Sequence, residues 1–290
     1  MGENDQSSAA GDSTKVSVAI ALTTDPSTAR ALLDRFCYAL GQATGLDVEP
    51  RGVLPAPQLL DELAQGQIQL VWLPPILALR TTVDKRAVPI ALPVRAGASL
   101  YRAVLFTRSE SVVRSPADLV GLKAAWVDER SATGYLIIRA HLESQGTVLA
   151  EAFVDNKFLG THEDVARAVL DGEVDVGASY LYPDDTDPEA PAIRAGWGDA
   201  DVRVVAQTSP IPVDVIATDR QVPVEVQQLV QKALIDGSSA ELMAAAKELL
   251  AADGFIAPTA EQLEPIRLLL GKMSEKPVTP HSLFPPPPSR

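Results

Sequence analysis

The sequence predicts an α/β protein. Short apolar runs alternate with helix-patterned stretches along most of the chain. The helical stretches between runs are long enough to cross over a sheet, so the runs they join pair in parallel. The length of 290 residues with 46% hydrophobic content supplies cores for two domains of about 100–200 residues each.

Taken in order, Val16–Leu22 reads as a strand, and Pro26–Thr44 as a helix with Asp25 at the N-cap and Pro26 in the first turn. Val48–Gly52 is a short strand, Pro57–Gln65 a helix and Leu70–Leu73 a buried strand. Val88–Leu92 and Ala103–Thr107 follow as strands, and Ser115–Leu119 opens a short helix. Lys123–Val127 is a strand and Thr133–Gln145 a helix ended by Gly146. Ala152–Val154 is a strand and His162–Asp171 a helix ended by Gly172. Val174–Ala178, Val202–Ala206 and Val213–Thr218 are strands, before helices over Val224–Ile235, Ala240–Asp253 and Glu261–Leu270. Residues 1–14 are polar and Ser/Gly/Asp-rich, the composition of a disordered segment. Residues 273–290, with Pro285–Pro288, read as an extended tail.

The charge narrows the function. Lys and Arg total 25 against 38 Asp and Glu, a net charge of -13. That disfavours nucleic acid, whose phosphates need a basic face, and an anionic membrane surface. No apolar run reaches the length of a membrane helix. A single cysteine, Cys37, excludes an internal disulfide, and its apolar neighbours point to a buried thiol. His141, His162 and His281 form no metal-ligand spacing, so neither metal nor cofactor is expected. Met1–Thr14 has neither a basic nor an apolar leader stretch, which places the chain in the cytoplasm if it is complete.

Chemistry concentrates in four segments. In Trp126–Tyr135 a strand ends, a loop turns and a helix begins. Ser131 and Thr133 offer hydroxyls. Backbone N–H groups of Ala132, Thr133 and Gly134 lie at a positive helix end, and Gly134 lets an oxyanion approach. The same residues also fit a plain serine N-cap. Phe158–Asp164 carries His162 in a first helical turn, where imidazole can donate to a ligand oxygen; Thr161 with Asp164 equally fits a capping box. In Thr208–Asp214 two prolines fix an extended approach, so that Asp214 stands near a strand mouth or in a solvated turn. Tyr101 aims its hydroxyl into a cleft or packs in a core. Ser131 and His162 with an aspartate could also be imagined as a hydrolytic set, but a helix-start serine is better explained by anion binding, and no enzyme is expected.

Together these segments resemble the phosphate/phosphite/phosphonate-binding proteins of ABC importers, within the type 2 periplasmic binding protein fold. The resemblance runs through Tyr101–Phe106, Ser115–Leu122, Ser131–Leu136, Gly160–Glu163, Ala168–Ala178 and Ser209–Asp214. It implies a two-lobed clamshell, each lobe a mostly parallel sheet flanked by helices. Lobe 1 would comprise residues 15–106 plus 205–272 and lobe 2 residues 107–204, with crossings near Phe106–Arg108 and Val204–Gln207. It implies a monomer that captures a small phosphorus oxyanion between the lobes for an ABC permease. The missing leader stretch and the proline-rich tail point to an alternative, an intracellular sensor or partner-binding module that reuses the clamshell with altered or lost ligand binding. The ligand-binding residues carried over are Tyr101, Ser131, Ala132, Thr133, Gly134, His162 and Asp214.

Members of that family are exported. The chain departs from them at Ala132, which replaces a loop hydroxyl, and at Gln69, a structural substitution for the usual aspartate. Ser179–Tyr182 lacks the carboxylate that some members taking aminoalkyl phosphonates carry past this strand.

Overall fold

A computed structural model describes residues 15–21, 26–83, 86–95, 97–182, 194–260 and 262. The polar start, the Asp25 cap, the proline tail and nearly all of the expected helix over Glu261–Leu270 lie outside them. The chain opens with β1 (Lys15–Ala21), α1 (Pro26–Thr44), β2 (Asp47–Leu54), α2 (Ala56–Ala64), β3 (Leu70–Leu73), α3 (Pro75–Val83) and β4 (Ala87–Val94). It passes through β5 (Leu100–Arg108), β6 (Leu122–Trp126), a π-helical turn (Ala132–Leu136), α4 (Ile137–Ser144), α5 (Leu149–Ala152), β7 (Phe153–Phe158), α6 (His162–Leu170) and β8 (Val176–Tyr182). It closes with β9 (Arg194–Ala195), β10 (Val202–Gln207), β11 (Ile211–Pro212), β12 (Val215–Asp219), α7 (Val224–Asp236), α8 (Ala240–Leu250) and β13 (Gly254–Ile256).

The strands form two sheets, ordered β13-β4-β12-β3-β1-β2 and β10-β5-β8-β6-β7. Each is buried on both faces. Val16, Val18 and Ile20 of β1 pack with α1, α7 and α8; Ala19 and Ala21 point the other way, into a core shared with α2 and α3. This period-2 alternation makes β1 apolar throughout, as a strand covered on both sides must be. In the second sheet Trp126 lies on the face covered by α4, and Ala125 and Val127 lie on the face covered by α6.

Most strands within each sheet run one way, as expected, but each sheet holds an antiparallel insert. β12 pairs antiparallel with both β3 and β4, and β5 with both β8 and β10. Both inserts are strands that the chain enters just after leaving the other sheet, and so from the opposite end. Side-chain period carries no information about that direction.

This placement corrects the expected crossings. β5 and β10 hydrogen-bond within the second sheet, so the chain passes between sheets at residues 95–99 and 208–214, not inside those strands. The second connector bonds to the first and to the start of β5: Val213 N–H donates to Ser99 O at 3.1 Å, and Ile211–Pro212 pairs with Tyr101–Leu100.

Three further differences have local causes. α3 starts at Pro75, in a stretch between Leu73 and Val88 for which the sequence reading assigns no element; proline is suited to a first helical turn. The helix expected from Thr133 begins as a π turn. β7 starts one residue later than expected and runs on to Phe158 through the polar stretch Asp155–Lys157, because it is an edge strand whose middle residues are open to water.

Candidate functional site

β6 and β7 are parallel neighbours with Trp126 opposite Phe158, so their C-terminal ends open side by side. After β6 the turn is built by Asp128, whose carbonyl accepts from Ser131 N–H at 3.1 Å and whose carboxylate accepts from Arg130 N–H at 2.7 Å. Ser131 is extended (φ -62°, ψ 125°), and its Oγ accepts from Gly134 N–H at 3.2 Å, a true N-cap. Having accepted that bond, the hydroxyl keeps its own proton to donate. Leu136 N–H reaches back to Ser131 O at 3.0 Å, closing the π turn, and helix continues to Ser144. Thr133 and Gly134 are buried. A Cβ on Gly134 would stand 2.4 Å from Val127 Cγ2, so glycine is required here for close approach rather than for its dihedral freedom. One expectation is corrected: Gly134 N–H is spent inside the loop on Ser131.

After β7, Leu159 N–H donates to Trp126 O at 2.9 Å and Gly160 N–H to Val127 O at 2.8 Å, tying this second loop to the first. Gly160 turns with φ +90°, a region glycine adopts freely. Thr161 caps α6 by accepting from Asp164 N–H at 3.0 Å and donates to the Asp164 carboxylate at 2.7 Å. His162 is therefore the first residue of a capped helix. Its Nδ1 lies 3.0 Å from Ser179 Oγ, and its ring meets Tyr180 edge-on at 4.8 Å. Burial lowers its pKa below the usual 6.5, with Glu163 and Asp128 pulling the other way, so the ring is neutral at pH 7 and carries one N–H.

A row of rings leads from His162 across the second sheet. Tyr180 and Tyr182, two apart on β8, have centroids 5.6 Å from each other, and Tyr182 lies 6.0 Å from Tyr101. Tyr101 is buried, and burial first, then the nearby Asp214 charge, push its phenol well above the usual 10. It stays protonated, hence a donor.

Asp214 stands beyond Tyr101 on the second connector. It is only 7% exposed, which overturns the solvated-turn alternative. Its carboxylate is ion-paired with Arg95 at the end of β4, whose Nε also donates to Leu250 O at 2.9 Å. Burial raises Asp214 from 3.8 to about 6, opposed by Arg95 and by the Trp72 indole facing it. Trp72 Nε1 is buried and has no partner at hydrogen-bond distance among the described residues; it acts on the carboxylate through its dipole.

The fold thus links Tyr101, His162 and Asp214 along one aromatic row, and lays the Ser131–Gly134 loop beside His162. Ala132 packs against the same apolar cluster as Tyr101, Tyr180 and Tyr182. Arg95, Trp72 and Ser179 were not singled out from sequence. The available signal was Arg95 itself, a lone cation closing the apolar run Ala87–Val94. Gln69 is structural, as expected: its Oε1 accepts from Ser17 N–H at 3.0 Å and its Nε2 donates to Gly66 O at 2.7 Å. Two cavities, of about 140 and 270 Å³, share Asp219 at the end of β12 and Gln221 in the turn after it, and contain none of the site residues. Among the described residues no cluster of three His, Cys, Asp or Glu could hold a metal ion, and no helix is long and apolar enough to cross a membrane.

A family model described as "ABC transporter, phosphonate, periplasmic substrate-binding protein" matches residues 18–263. Among solved structures, XAC2383 from Xanthomonas citri bound to ATP is similar at 19% identity and TM-score 0.66, over 91% of this chain and 98% of that one. A binding protein component of an ABC phosphonate transporter from Pseudomonas aeruginosa is similar at 21% identity and TM-score 0.55, over 90% and 87%. PhnD1 from Prochlorococcus marinus in complex with methylphosphonate is similar at 13% identity and TM-score 0.56, over 90% and 99%. These likenesses share a two-lobed fold.

Proposed function

Because the chain belongs to the family of periplasmic substrate-binding proteins of phosphonate ABC transporters, we propose that it captures a phosphonate, phosphate or phosphite between its two sheets and hands it to an ABC-type importer. The two sheets are then the lobes of a clamshell, the first split in sequence around the second. The bonded connectors at residues 95–99 and 208–214 are its hinge.

The observation that carries this reading is the meeting of two capped helix starts at the open ends of β6 and β7. An anion placed there would take the Ser131 and Thr133 hydroxyls and the N–H groups at the start of the Ala132–Ser144 helical run. His162 would donate from the neighbouring helix start, and Tyr101 from the other side of the cleft once the lobes close. Every one of these donors is neutral. Helix ends favour negative charge without a counterion, and closure lowers the local dielectric, in which such donors act more strongly than in water. The net charge of -13 therefore does not oppose anion capture; the ligand meets dipoles rather than the surface charge.

The test is a thermal-shift panel with phosphate, phosphite and methylphosphonate on the wild type and on Thr133→Ala. A ligand at 100 times its dissociation constant stabilises by about 2.7 kcal/mol. Thr133→Ala should remove most of that shift, since a hydrogen bond to a charged group contributes about 1.5–3 kcal/mol. A wild type that shifts with none of the three anions would sink the proposal.

A further inference from the structure

We infer that Arg95 sets the ligand class of this pocket: by occupying Asp214 it restricts the site to phosphonates whose organic substituent carries no positive charge. This rests on the oxyanion reading above and deepens it.

Asp214 is a buried carboxylate on the second connector, two residues past the pairing of Ile211–Pro212 with Tyr101–Leu100. A free carboxylate there would welcome a ligand ammonium. It is not free. The Arg95 guanidinium bonds one of its oxygens through Nη2 and is itself held by Leu250 O through Nε at 2.9 Å. With two of its edges fixed, the guanidinium cannot swing aside without giving up both bonds. The pair is largely withdrawn from water, with side chains 20% and 9% exposed, so its charges are weakly screened. An incoming ammonium would have to displace Arg95 or lie beside a like charge that is already compensated. An uncharged substituent meets neither cost and finds the Tyr101, Tyr182 and Tyr180 rings along the adjoining wall. The ion pair is independent of the carboxylate missing past β8. Its two members come from positions 119 residues apart.

The experiment is calorimetric titration of the purified protein with methylphosphonate and with 2-aminoethylphosphonate. The wild type should bind methylphosphonate at least tenfold more tightly. R95Q removes the cation while keeping an N–H toward Asp214, and should shift that ratio at least tenfold toward aminoethylphosphonate. R95K keeps the positive charge and should hold the wild-type ratio. Circular dichroism melts check that the variants fold; if R95Q does not, the wild-type ratio decides alone. Equal or tighter wild-type binding of aminoethylphosphonate overturns the inference, as does a folded R95Q with an unchanged ratio. In both cases binding of methylphosphonate leaves the oxyanion reading standing. Binding of neither phosphonate overturns both.

Discussion

The two walls of the candidate cleft are built on opposite principles. The second-sheet wall, Ser131–Gly134 with His162, is neutral and locally made: each cap closes within three residues, and each donor is aimed by its own helix start. The wall from the first sheet and the connectors, with Trp72, Arg95 and Asp214, is ionic and is assembled from three distant stretches of chain. The first can meet an anion without reorganising. The second is already internally satisfied, so it screens ligands more than it attracts them. The difference implies that the loop supplies affinity and the ion pair supplies selectivity and rigidity at the hinge.

The largest effect should come from breaking the ionic wall on one side only. Arg95→Met leaves the Asp214 carboxylate buried without its partner, which costs about 3–5 kcal/mol. Adding Asp214→Asn to Arg95→Met should recover most of that loss, because a buried ion pair replaced on both sides is often close to neutral. Urea unfolding of both single variants and the double variant measures this as a coupling energy. An Arg95→Met cost under about 1 kcal/mol, the range of an exposed pair, would show that the two walls do not differ in this way.

The same contrast decides how much could be read from the amino acids. The neutral wall was legible because its signals are local: a serine three residues before Gly134, a threonine three before Asp164, glycines at the turns. The bond of Gly134 N–H to Ser131 is the serine N-cap that the same residues also fit; whether that N–H serves the cap or a ligand is a choice that spacing cannot make. The ionic wall was half legible. Asp214 stood out beside its prolines, but Arg95 and Trp72 reach it only through the pairing of β12 with β3 and β4. The crossings went astray for the same reason. β5 is apolar nearly throughout, and an apolar strand fits either sheet; only its antiparallel partners assign it to the second.

The next effect is one of pH, and the two walls should respond with opposite sign. Asp214 is raised from 3.8 to about 6, so the folded state holds its proton more tightly than the unfolded chain. That contribution is fully present below pH 3.8 and is lost as pH rises to about 6, for a total of about 3 kcal/mol. His162 is lowered from 6.5 by burial, so its contribution is present above pH 6.5 and is lost as pH falls below it. The unfolding free energy of wild type minus Asp214→Asn should therefore decline between pH 4 and 7. Wild type minus His162→Gln should instead rise as pH climbs toward 6.5 and level off above it. Two parallel profiles would mean that the walls are equally solvated.

The smallest effect separates a cap that only builds the neutral wall from one that also touches the ligand. Thr161 accepts from Asp164 N–H at 3.0 Å and is exposed, whereas Ser131 accepts from Gly134 N–H at 3.2 Å and faces the proposed anion. Each is an N-cap, so alanine at either position should cost about 1 kcal/mol of stability. Affinity should part them. Ser131→Ala also deletes a donor to a charged ligand, a loss of about 1.5–3 kcal/mol or at least tenfold in binding. Thr161→Ala leaves every proposed donor in place and only loosens the turn that carries His162, so binding should fall less than about threefold, within the cost of a frayed first turn. Chemical unfolding and methylphosphonate titration on the two variants give all four values. Equal affinity losses would place Ser131 among the structural caps and leave Thr133, His162 and Tyr101 to hold the anion.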